Sequence, residues 1–254
     1  MLSTLLPLLR SPYTEDQVRA RIHDNGPIYA ETNPDHLIME PWNMASAALF
    51  VGLVVLWAWR LRGSYRQHPF LSACLPLLFT GGVGGTIYHG FRSHNAWLIM
   101  DWLPILLLSL VTAIFFWRQL RLNGWAILGI VGGLFALQGV IMWAIRMQWL
   151  PLTRMVGISI SYSMMALLML IPIALVLHRT GYRHARFIVL ALLSFLVAVS
   201  CRALDIQLSE VLPMGTHFLW HTFGAVAATL VMEYLYRYQR TLNAVRRSRH
   251  LLHM

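Results

Sequence analysis

Two imidazoles stand one helical turn apart in the apolar stretch GTHFLWHTFGAVAATLVMEYLY, which runs from Gly215 to Tyr236. At i and i+4, His217 and His221 share one face of a helix with Cβ atoms roughly 6 Å apart, a spacing that suits two ligands of one metal ion. Polar groups are expensive in hydrocarbon, so such rings must face a bundle interior that satisfies them. Two more ionisable groups lie at membrane depth: His89, near the end of an apolar run, and Asp101, near the start of the next in WLIMDWLPILLL. A lone carboxylate at that depth is costly without a partner and marks a functional site by default. Three neutral imidazoles with an open fourth position are the ligand set of catalytic zinc. With Asp101 placed to orient water or accept its proton, the chemistry that follows is metal-assisted hydrolysis. His94, His68 and His178 fall in loops or at helix ends, and only His94 could substitute as a ligand.

The elements that must position these groups are membrane helices. The chain is 57% hydrophobic and 12% charged, with a mean hydropathy of +0.59, far from the composition of a soluble domain. Seven apolar runs approach the length of about 20 residues that spans a bilayer: Asn43 to Trp59, Phe70 to Phe91, Trp97 to Trp117, Trp125 to Ile145, Met155 to Leu177, Phe187 to Leu204 and His217 to Tyr236. Trp42, Trp97, Trp117, Trp125 and Tyr236 sit at their ends, as interfacial belts do. The predicted fold is all-α, a polytopic seven-helix bundle in the domain 41–236, preceded by a segment 1–40 and followed by a basic tail 237–254. Alternate spans run in opposite directions, so His89, Asp101, His217 and His221 are all expected in one leaflet.

The positive charge is entirely arginine, 20 residues with no lysine. Thirteen of the 20 fall in the first, third and fifth loops and the tail, and seven in the N-terminal segment and the even loops. The positive-inside bias therefore puts the C-terminus in the cytoplasm and the N-terminus and the His/Asp cluster on the other face of a cell membrane. The basic excess reads as topological, with Arg240, Arg246, Arg247 and Arg249 resting on anionic lipid head groups and no nucleic-acid partner implied. The absence of lysine excludes a retinal Schiff base, which needs its amine. Cys74 and Cys201 lie within spans as packing residues. No obligate protein partner is evident, and the apolar start MLSTLLPLL reads as an interfacial stretch ahead of the first span.

Residues 10–40 hold Glu15, Asp16, Asp24, Glu31, Asp35 and Glu40. This segment reads as a solvated lead-in loop or, with its amide side chains, as a hard-cation site, for which Glu40 is the best candidate. The run GGVGG, Gly81 to Gly85, lets a neighbouring helix approach closely. Met142, Trp143, Met164, Met165 and Met169 with Ser159, Ser161 and Ser163 fit bundle core, or else the lining of an acyl-chain cavity. Arg202 and Asp205, at i and i+3, are expected to pair with each other.

EPWN (Glu40 to Asn43), YHGF followed by DWLP (Tyr88 to Pro104) and GTHFLWH (Gly215 to His221) resemble, in order and depth, the alkaline ceramidases. These belong to a superfamily of seven-helix membrane hydrolases that includes the adiponectin receptors, and the prokaryotic ceramidase-like members look most similar. The resemblance implies hydrolysis of the N-acyl amide of a ceramide-like lipid substrate drawn from the bilayer, releasing a fatty acid and a sphingoid-type amine. It implies Zn²⁺ on His89, His217 and His221, with Asp101 acting on the attacking water. It also implies a Ca²⁺ site ahead of the first helix, onto which Glu31, Asn33 and Glu40 map. The chain departs from the pattern at Gly85, where the family has a serine that aids the oxyanion or the water: either the substrate differs, another donor such as Thr86 or Ser93 substitutes, or the activity is weak. Two other classes remain open: a bis-His haem protein, and a receptor or transport module using the His/Asp cluster without hydrolysis.

Overall fold

In the computed structural model, residues 14–251 are described, and they contain helices and no strand. The apolar N-terminal stretch lies outside the described residues, as do the side chains of Arg246, Arg247 and Arg249. A short helix α1 (Glu15–Arg19) precedes seven helices long and apolar enough to cross a membrane. These are α2 (Pro41–Leu61, with a tight turn at Ala48), α3 (Pro69–Phe91), α4 (Asn95–Gln119), α5 (Gly124–Arg146), α6 (Arg154–Arg179), α7 (Ala185–Ala203) and α8 (His217–Leu251). Each expected span is present. The tail after Tyr236 continues α8 without a break.

Local chemistry sets the starts of these helices. Asn123 and Thr153 cap α5 and α6 by accepting from the backbone N–H of Ala126 (2.8 Å) and Val156 (3.3 Å). Pro41 and Pro69 occupy first-turn positions, where a missing N–H costs nothing. The glycine run does the packing expected of it: a Cβ on Gly84 would meet the backbone carbonyl carbon and Cβ of Met100, so only glycine lets α3 and α4 lie this close.

One half of the bundle is a dry core of Ala113, Phe116, Trp117, Ile173, Val176 and Tyr234. The other half is covered by residues 14–40. This segment is no solvated loop: Val18, Ile22 and Tyr29 are buried, and so are Asp24, Glu31, Thr32 and Glu40. It is tied down by backbone bonds from His23 to the Arg92 carbonyl (3.0 Å) and from Met39 to the Gly90 carbonyl (2.9 Å).

Candidate functional site

The end of α3, the start of α4 and the start of α8 meet beneath this cover. His89, His217 and His221 each present a ring nitrogen within 4.8 Å of the others, and all three are buried. The ring centroids of His89 and His217 are 5.3 Å apart, those of His89 and His221 4.8 Å, and those of His217 and His221 4.7 Å. This is the only such group of metal-ligating side chains among the described residues.

Each ring is held by a different neighbour. Nδ1–H of His89 donates to Glu40 Oε2 at 2.5 Å, which fixes its tautomer and leaves Nε2 buried without a partner. His221 turns Nδ1 toward the Asn43 carbonyl (3.2 Å) and Ser46 Oγ (3.0 Å), both on α2. His217 stacks on Tyr29 at 3.8 Å between centroids, and both of its ring nitrogens are buried and unpartnered. Buried imidazole nitrogens without partners are costly. A divalent ion accepting their lone pairs removes that cost, and an anchored second nitrogen is the usual support of a metal-bound histidine. The residues present therefore fit a metal ion.

Glu40 is the hub of a buried ionic network. Besides His89 it accepts from Thr32 Oγ1 (2.7 Å), Asn43 Nδ2 (3.2 Å) and Arg92 Nη1 (2.5 Å). Arg92 in turn grips Asp24 through Nε (2.8 Å) and Nη2 (2.7 Å), a bidentate pair with both side chains fully buried. Burial alone would raise the Glu40 carboxyl, but the Arg92 guanidinium and His89 outweigh it and hold it down to about 2. Arg92 caps α3 with φ 47°, a left-handed conformation that a non-glycine residue adopts at a cost. The local bonds to Asp24 and Glu40 offset that strain.

Asp101 extends from α4 toward α3. Its carboxylate lies against Gly85, with Oδ1 2.5 Å from where a Cβ on that residue would sit, and it lines one cavity with His221. Any side chain at position 85 would require this carboxylate to shift. Thr86 does not offer its hydroxyl: Oγ1–H donates to the Gly82 carbonyl at 2.6 Å. Ser93 is exposed in the loop beyond α3, and His94 caps α4 through Nδ1.

The residues mapped to calcium are not brought together as a set of open oxygens. Glu31 accepts the N–H groups of Trp42 (2.6 Å) and Asn43 (2.9 Å) and so caps α2. Burial pushes its carboxyl up to about 7, against those two backbone donors. Asn33 turns its Oδ1 to the N–H of Asp35 (3.0 Å), and Glu40 is committed to His89 and Arg92. A guanidinium holds the central place between Asp24 and Glu40.

Arg202 and Asp205 do not form the expected pair. Asp205 accepts from the N–H groups of Thr216 (2.7 Å), His217 (2.8 Å) and Ala30 (2.9 Å), so it caps α8 and fastens the N-terminal cover to it. Arg202 instead lies among the rings of Tyr29, Tyr162 and Trp220.

From Asp101 and His221 an apolar cavity of about 230 Å³ runs through the bundle to Leu71 and Leu235. α6 contributes Tyr162, Met165 and Met169 to it. The other residues expected there lie elsewhere: Met142 packs against Gly157, 3.4 Å from the position of a Cβ there, and Trp143 meets Trp149 edge-on at 4.7 Å. From His221 to Leu235 the helical rise gives roughly 21 Å of depth.

A comparison with known proteins finds no family model and no curated protein that matches the chain.

Proposed function

We propose that the chain is a zinc-dependent intramembrane hydrolase that cleaves the N-acyl amide of a ceramide-like lipid. One observation carries this reading: a three-histidine group with unpartnered buried nitrogens stands at the polar end of a long apolar cavity, with a carboxylate on the same wall. His89, His217 and His221 would hold the ion. When bound, zinc supplies the positive charge that polarises a carbonyl and makes water acidic near neutral pH. The remaining work falls to the chain. The cavity aligns an acyl group so that its carbonyl comes to the mouth beside Asp101, and Asp101 takes a proton from water and returns it to the leaving amine. Glu40 and Ser46 keep the rings of His89 and His221 from turning, and Tyr29 stacks on that of His217.

The arginine bias supports a site on the non-cytoplasmic face, and the resemblance to alkaline ceramidases supports the amide over other acyl bonds. Convergence of three rings on one point favours an ion over haem, which needs two imidazoles on opposite faces of a macrocycle.

The test is turnover on a panel of N-acyl sphingoid bases and matched esters, before and after chelation and zinc resupply. The proposal expects release of fatty acid from the amides, loss on chelation and return with zinc. Zinc retained with no turnover on any member of the panel would favour the receptor or transport reading.

A further inference from the structure

Arg202 is a cation without an anion. It is 5% exposed, its Nε is buried with no hydrogen-bond partner, and no described carboxylate forms an ion pair with it. Asp205, the neighbour in sequence, has given its oxygens to backbone N–H groups. Asp101 acts on Arg202 electrostatically but lies beyond ion-pair contact. The guanidinium carbon stands 5.2 Å from the Tyr162 ring centre, 5.3 Å from Trp220 and 5.9 Å from Tyr29. These rings soften the burial of the charge, and the Tyr29 hydroxyl accepts from the guanidinium, but one hydroxyl neither neutralises the charge nor answers five N–H donors, and Nε stays without a partner. Buried charges are otherwise paired, because the cost of leaving one alone is several kcal/mol.

Two of those three rings, Tyr162 and Trp220, belong to the wall of the apolar cavity, together with Asp101 and His221. The charge, which has no ion pair, is therefore packed against two rings of that wall, next to the polar end of a long apolar slot. We infer that Arg202 recognises the head of a long-chain carboxylate whose chain occupies that cavity. Guanidinium matches a carboxylate with two parallel N–H···O bonds, and an ammonium does so less well. The ligand class is thus a fatty acid, either the acyl product of the proposed hydrolysis or one taken from the bilayer. This deepens the proposed function by giving Arg202 the role of holding the acid end of that product, yet the binding stands on its own geometry.

The experiment compares palmitic acid with hexadecanol on the purified full chain, in zinc-loaded and chelator-stripped forms. Equilibrium binding of the labelled compounds is the readout. For the stripped wild type we expect the acid to bind at least about tenfold more tightly than the alcohol, as a charge-assisted bidentate pair gives. Arg202→Gln brings that ratio to about one with the alcohol unchanged, and Arg202→Lys keeps part of it. No preference in wild type, or an undiminished ratio in Arg202→Gln, overturns the inference. A preference seen only with zinc and kept in Arg202→Gln also overturns it, since the metal would then hold the acid. Because the stripped protein carries the test, failure of the hydrolase proposal leaves this result readable. Mass spectrometry of acid carried through purification assigns the source. Acid in wild type but not in Asp101→Asn marks the chain's own product, and acid in both marks the bilayer. Equal amounts in Arg202→Gln count against the site.

Discussion

The two ends of the bundle are built from the same helices and by opposite rules. At the end covered by residues 14–40, Asp24, Glu40, His89, Arg92, Asp205, His217 and His221 are all buried, and nearly every one is fixed by a bond to another element. At the opposite end the interior is Phe116, Trp117, Ile173 and Tyr234, and the guanidinium groups stay at the rim. Arg60 and Arg237, 39% and 38% exposed, flank the largely buried Glu233 there. An ion pair whose cations reach solvent contributes less and is lost more cheaply than a buried, fully connected one, which cannot lose a member without stranding the rest. The difference teaches that the polar end is not there for stability: polar networks in a bundle interior are an expensive way to hold helices together, and this one holds three imidazoles still.

That contrast can be broken most sharply at Asp101. Asp101→Asn keeps size and packing but removes the proton acceptor, so turnover falls by about 10² to 10⁴ with zinc content unchanged, as kinetics alongside metal analysis would show. Full activity would remove Asp101 from the chemistry. Next comes Glu40→Gln, which loosens the anchor of His89 and lowers zinc affinity by about 10 to 100-fold, read by competition with a chromogenic chelator. Ala228→Phe, in the cavity wall, is expected to shift preference toward shorter acyl chains, each excluded methylene forfeiting about 0.8 kcal/mol of burial. An unchanged chain-length profile would place the acyl group elsewhere. The smallest effect belongs to the opposite end: Glu233→Gln should change stability by about 1 kcal/mol or less and leave zinc affinity and turnover alone.

Much of this was legible in the sequence because it rests on residues that hydrocarbon does not tolerate idly. Seven apolar runs announce the spans, and His89, Asp101, His217 and His221 stand out against them. The supports were not legible, since they come from contacts across great chain distances: His89 and Glu40 are 49 residues apart, Arg92 and Asp24 are 68 apart, and Ala30 and Asp205 are 175 apart. Local spacing even misled, because Arg202 and Asp205 at i and i+3 turn to different partners. One signal was available. Arg92 follows the second span and Arg202 closes the sixth, both on the side where the topological bias disfavours positive charge, and both prove to be buried at the site.

The measurement that bears most directly on the central claim is the zinc content of the purified chain, wild type against His217→Ala, each shown to be folded and monodisperse. The proposed function predicts about one zinc per wild-type chain, the stoichiometry of a single three-histidine centre, and little or none in the variant. A folded wild type that binds no zinc when it is supplied, or a variant that holds as much as wild type, would contradict it.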